Sequence, residues 1–162
     1  SMMTNRKLLT VMWMVPLGLV TTIAWAQAAV PDPEDWFRNE YAPLWKAEPW
    51  SKLSAIDGFY NDNITIHPAD GAVSTVSSHN WLAQSIDGWR AEGWVSSLLA
   101  DFRSDRINSS TVLFLTKWQD LYADGHEEFS CGWYVADVVD GRWKFTRYEE
   151  VDCEGRDLRK GS

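Results

Sequence analysis

Histidine and cysteine are scarce in this chain, three and two residues of 162, and that scarcity closes off several chemistries. His67, His79 and His126 are scattered without metal-ligand spacing, and Cys131 and Cys153, 22 positions apart, make no zinc pattern. There is no glycine-rich phosphate loop and no serine nucleophile elbow. Basic residues are outnumbered, 15 against 23 acidic, for a formal net charge of −8. A nucleic-acid partner, which needs a clustered basic surface, is excluded on that balance. No internal repeat occurs, and the only tail is the stretch 154–162. Nothing in the sequence implies a metal or a cofactor.

What the chain does have is tryptophan, 11 residues of it, and an N-terminal run of unusual character. Arg6-Lys7 is followed by the apolar stretch Leu8 to Ala24, then by Ala24-Trp25-Ala26, with Ala26-Gln27-Ala28 as a second small-any-small pattern. This order predicts a cleavable secretory signal peptide over residues 2–26. The alternative is an uncleaved membrane anchor, against which the short run and its Pro16 and Gly18 argue. Losing Arg6 and Lys7 takes the net charge from −8 to −10, and the predicted compartment is periplasmic or extracellular.

Beyond the leader, a domain is expected over 33–153, long enough for one real core. Asp32-Pro33-Glu34-Asp35 is a helix start, and Trp36, Phe37, Tyr41, Leu44 and Trp45 follow at helical spacing, with Pro43 limiting regularity. A second helix is predicted from about Trp50 to Tyr60 and a third from about His79 to Glu92, capped by Ser78 and ended at Gly93. From Trp94 the period changes to two. Strands are predicted near 94–107, 110–122, 127–139 and 142–151, joined by Asn108-Ser109, Asp124-Gly125 and Asp140-Gly141. Helices followed by a meander predict an α+β fold, three N-terminal helices packed in a curved, mostly antiparallel sheet.

Between the second and third helices lies Phe59-Tyr60-Asn61-Asp62-Asn63-Ile64-Thr65-Ile66-His67-Pro68-Ala69-Asp70-Gly71. It reads as a helix end, a polar turn, a short strand and a His-Pro break, which holds His67 on a restricted backbone at a strand end. This stretch, with the helix and hairpins around it, resembles the nuclear-transport-factor-2-like superfamily, the cystatin-like α+β cone that includes ketosteroid isomerase, scytalone dehydratase and polyketide cyclases. The resemblance covers roughly residues 33–153. It implies that His67 stands where ketosteroid isomerase has its general-base aspartate, that Asp62 matches an acid of the preceding turn, and that Tyr41 lies near the position of the oxyanion tyrosine. It implies too that Trp133 stands near the oxyanion-stabilising acid, a role an indole cannot fill. Since the superfamily hosts many chemistries and many binders, the resemblance implies fold more than function.

With two-residue turns, Val112, Phe114, Thr116, Trp118, Asp120, Cys131, Trp133, Tyr148 and Glu150 share one face, and Leu113, Leu115, Lys117, Tyr134, Ala136, Trp143 and Phe145 the other. The first face is expected to line the cone, with Tyr60, Trp118, Cys131, Trp133 and Tyr148 as ligand-binding walls and His67, Asp101 and Tyr41 as catalytic candidates. Histidine takes up a proton near neutrality, which suits a base. Asp101 faces Thr116 in this register, with Arg103 beside it on the same face. Both faces are substantially apolar, which predicts a homodimer packed sheet to sheet. In the same register Cys131 faces Glu150 and Cys153 falls on the opposite side, so a disulfide requires a bulge near Glu150; both states of the cysteines stay open. The expected function is a secreted protein that takes a hydrophobic small molecule, either a lyase, isomerase or hydrolase using His67, or a non-catalytic ligand-binding or interaction module.

Overall fold

The computed structural model describes residues 29–153; the leader and the tail proposed from the sequence lie outside them. The first helical segment, α1 (33–45), starts with the Asp32 carboxylate accepting from the backbone N–H groups of Glu34 and Asp35. It widens into a π-helical turn over Trp36–Tyr41, with the Ala42 N–H reaching back to the Phe37 carbonyl, and tightens into a 3₁₀ turn over Ala42–Trp45. Pro43 has no N–H with which to continue a regular ladder, so the turn geometry changes where the ladder fails. The segment α2 (49–57) is a 3₁₀ turn Pro49–Lys52 running into an α-helix Leu53–Asp57, and α3 spans Ser78–Ala91 under a Ser77 cap.

Six strands form one sheet: β1 Tyr60–His67, β2 Ser74–Ser77, β3 Trp94–Asn108, β4 Thr111–Tyr122, β5 Glu127–Val139 and β6 Arg142–Val151. Their order is β2-β1-β6-β5-β4-β3, antiparallel throughout except for the parallel β1–β6 pair. The α+β cone expected from the sequence is therefore present, with two local differences. Tyr60, expected at a helix end, opens β1, and the polar stretch before α3 contributes the short edge strand β2.

The registers decide which side chains enter the cone. At Asp140-Gly141 both residues adopt positive φ, 50° and 74°, and Val139 pairs with Arg142 as expected for a two-residue turn. The β4–β5 connection is one residue longer: Tyr122 N–H donates to the His126 carbonyl across Ala123-Asp124-Gly125, with Gly125 at φ 90°. Phe114 consequently pairs with Tyr134 and Thr116 with Gly132. That single step turns β5 over, so Tyr134 and Ala136 face the core while Cys131, Trp133 and Val135 face outward. In β6 a bulge at Thr146 lets Phe145 and Tyr148 point the same way, inward.

The β6 bulge also settles the cysteines. It sets Cys131 opposite Val151 rather than Glu150, which leaves Cys153 two residues along on the same side, and the two close a disulfide with Cα atoms 5.3 Å apart. A closed loop of this size contributes about 3 kcal/mol in the chain-entropy account. Thiol titration of the unreduced, unfolded protein is expected to find none of the two thiols; reduction should expose both and lower the thermal midpoint. Two titratable thiols before reduction would contradict the pairing.

Candidate functional site

The cone interior is built on Phe37 and Tyr41, one wide turn apart on α1 and both fully buried. Phe37 packs against Phe102, Phe114 and Phe145, at ring-centroid distances of 4.8, 4.7 and 5.8 Å. Tyr41 packs edge-on against Phe145 at 4.7 Å, and its hydroxyl shares a 2.6 Å hydrogen bond with that of Tyr60. Tyr134 from β5 lies between Phe145 and Tyr148, at 5.1 and 4.9 Å. Rings from α1, β1 and four long strands thus meet where a pocket was expected.

Most polar groups in this interior are used up on one another, the buried Trp45 indole N–H being an exception that has no hydrogen-bond partner among the described residues. Trp118 Nε1–H donates to Thr116 Oγ1 at 3.1 Å, and Thr116 donates to the Gly132 carbonyl at 2.9 Å. Gly132 is glycine for a steric reason, since a Cβ there would come within 2.6 Å of the Tyr148 ring that lies over the strand. At the wider end the Trp94 indole donates to Ser97 Oγ, which donates in turn to Asp120. Tyr148 faces this end with Trp81 of α3 beside it at 5.5 Å. Burial holds the Tyr41, Tyr60, Tyr134 and Tyr148 phenols above their ordinary range, and the Asp120 and Glu150 carboxylates push Tyr148 further the same way.

The sequence candidates scatter when placed on this frame. Tyr41, Tyr60 and Trp118 do point into the cone, as packed rings with little accessible surface, and Tyr148 sits half-buried at its edge. Cys131 is spent in the disulfide on the outer face, and Trp133 projects from that face too, both turned by the extra residue in the β4–β5 connection. Asp101 is corrected likewise. The β3–β4 turn centres on Ser109-Ser110, Phe102 rather than Asp101 stands opposite Thr116, and Asp101 pairs with Lys117 while its carboxylate accepts the Phe102 N–H. Arg103 follows it outward and pairs with Asp105 at 2.8 Å.

His67 lies on the outer side as well. Ile64 and Ile66 are the inward residues of β1, so the next residue turns away from the core, and the His67 ring sits 3.5 Å from Glu149 with about 40 % of its side chain exposed. A base in the cone is not what this position offers. Tyr134 and Phe145 are interior residues that the sequence analysis set on the outer face. Gly125 at the third position of Ala123-Asp124-Gly125 was the available signal, because a three-residue hairpin loop places a left-handed glycine there.

Two clefts open near the β5–β6 turn. One, of about 250 Å³, lies between α1 and the start of β6; the other, of about 410 Å³, runs beside Tyr60, Asp62 and Asp140. Among the described residues no cluster of three or more metal-ligating side chains occurs.

No protein-family model matches the chain, and no curated protein matches it in sequence. Solved structures do match it. An NTF2-like protein of unknown function from Shewanella oneidensis superposes with a TM-score of 0.59 at 13% identity, over 75% of this chain and 100% of that one. A candidate ketosteroid isomerase from Shewanella frigidimarina gives 0.56 at 12%, over 76% and 100%. A candidate aromatic ring hydroxylase from Novosphingobium aromaticivorans gives 0.55 at 13%, over 75% and 86%. The chain has the NTF2-like, cystatin-like fold. At these identities the likeness carries the fold and not the activity, and the packed tyrosines give the NTF2-like cone of this protein its own character.

All five tyrosines hold their protons more tightly in the folded protein than at the ordinary value near 10, Tyr122 rising to about 12. Above pH 10 the unfolded chain therefore binds fewer protons than the folded one. The tyrosine contribution is fully present below pH 10 and is lost as pH climbs toward the folded values. Stability should fall steeply above pH 10, and phenolate absorbance beyond that of the partly exposed Tyr122 should appear together with loss of near-ultraviolet circular dichroism; phenolate from the four cone tyrosines within an intact fold would contradict the burial. Separately, Tyr41→Phe leaves the Tyr60 hydroxyl without its partner and should cost about 1–2 kcal/mol in denaturant melts.

Proposed function

We propose that this protein is an exported, non-catalytic binding and assembly module that works as a homodimer through the outer face of its sheet. The observation that carries the reading is the division of residues between the two faces. The cone is filled with rings whose polar atoms, the Trp45 indole N–H excepted, are paired internally, while His67, Asp101 and Arg103 lie outside, where they form a rim rather than a reacting centre. Leu113, Leu115, Trp133 and Val135 run down the middle of that outer face on β4 and β5. Charged side chains flank them, Asp101, Arg103 and Asp105 on β3 and Arg147 and Glu149 on β6. An apolar strip inside a charged border is the usual composition of a protein interface.

Export is supported by the leader pattern of residues 2–26 and by the Cys131–Cys153 disulfide, which persists in an oxidising compartment. A small-molecule partner remains part of the reading because solved structures of this fold include a candidate ketosteroid isomerase and a candidate ring hydroxylase. For this chain the ligand is one that meets the surface or the edge of the cone, where Tyr148 and Trp81 are half-buried, rather than one enclosed by it.

Sedimentation velocity of the chain without its leader is expected to give the mass of two chains at micromolar concentration. Val135→Arg, which puts a charge in the middle of the strip, should give one chain with the thermal midpoint of the monomer little changed. A wild-type mass of one chain would overturn the assembly reading. His67→Ala should leave both the dimer and the fold as they are, and any turnover that depended on His67 would overturn the non-catalytic reading.

A further inference from the structure

We propose that the smaller cleft between α1 and β6 is a binding site for a flat aromatic carboxylate, a role separate from the sheet interface. Its floor is apolar and held rigidly. Trp143 is buried and its indole N–H donates to the Pro31 carbonyl at 2.8 Å, while Trp36 packs on Phe59 with ring centroids 5.3 Å apart. Its volume, about 250 Å³, accommodates a bicyclic aromatic ring carrying one substituent.

The rim of the cleft supplies the charge. Arg142 and Lys144 stand on the β6 side and Glu40 on the helix side, so the charged lining sums to +1 in a chain whose net charge is −8. Lys144 is steadied by donating its ammonium to the Gly58 carbonyl. Arg142 directly follows the Asp140-Gly141 turn, exposed, and its guanidinium makes no hydrogen bond or ion pair among the described residues. A free planar guanidinium beside an aromatic floor matches a carboxylate attached to a ring, because the fork holds both oxygens while the ring packs below. The neighbouring larger cleft shares Arg142 and Lys144 but sets Asp62 and Asp140 against them. Its charged lining is neutral, so the anion belongs in the smaller cleft.

The test is a calorimetric titration of the protein with 2-naphthoate, with 2-naphthamide as the uncharged isostere. Saturable binding of one naphthoate per chain is expected, weaker by about tenfold or more for the amide and for Arg142→Ala, as loss of a charge-assisted pair requires. The Trp143 indole N–H resonance should shift with naphthoate, and Lys46→Ala, which removes an exposed cation that lines neither cleft, should leave the affinity unchanged. Thermal melts verify that each variant is folded. Equal affinity for acid and amide, retention of binding in folded Arg142→Ala, or absence of saturable binding would each overturn the site. Since Arg142 lies away from the apolar strip, a failure here leaves the dimer prediction standing, and a monomeric protein leaves this site standing.

Discussion

Phe37 and Tyr41 are the plug on which the cone closes. Both project from a helical turn widened by the approach of Pro43, and both are fully buried against rings from β1 and the long strands. Phe37 has nothing to offer but surface. Tyr41 carries in addition a hydroxyl that must be satisfied in a place water does not reach, and Tyr60 satisfies it at 2.6 Å. That one bond ties α1 to the first strand, and the position of the first strand fixes the parallel β1–β6 pair on which the edge of the sheet depends. A catalytic cone of this fold needs open volume and convergent polar groups. Here the volume is taken by aromatic rings, and nearly all the polar groups of the interior, the Trp45 indole N–H excepted, are consumed by their neighbours.

Filling the inside has a consequence for the outside. Side chains alternate along a strand, so each residue that turns inward sends its neighbour out, and the long strands β3 to β5 leave an outer face with an apolar middle. His67, Asp101 and Trp133 are on that outer side for this reason and not because of any local preference. In the function proposed above they serve recognition rather than catalysis. Arg142 and Lys144 gain their place differently, from a tight turn of two positive-φ residues that projects the start of β6 beside α1.

Much of the architecture was legible in the sequence: the capped start of α1, the third helix, four strands joined by three turns of which two are glycine-marked, and the NTF2-like order of elements. The faces were less so. The inward set of β4 was read correctly through Val112, Phe114, Thr116 and Trp118, because that strand needed no turn assumption of its own. β5 was inverted by one unrecognised loop residue at Ala123, and the start of β6 followed it; the bulge at Thr146, which no residue type announces, then returned Tyr148 to the inner side. Asp101 fell to a one-residue bulge at Ile107, beside the Ser109-Ser110 turn. For His67 the difficulty was of another kind. The His-Pro pair fixes where the strand ends, but which side the last residue takes depends on Ile64 and Ile66, whose inward direction is set by the core they join.

The closed cone is tested most directly by nuclear magnetic resonance of the tyrosine hydroxyl protons. A phenolic proton shared between Tyr41 and Tyr60 in a dry interior exchanges slowly with water, so it should give a resolved resonance with cross-relaxation to both rings, and Tyr41→Phe should abolish it. A Tyr41 hydroxyl proton broadened away by rapid exchange, in protein that is otherwise folded, would mean that water occupies the cone and that the interior is a cavity after all.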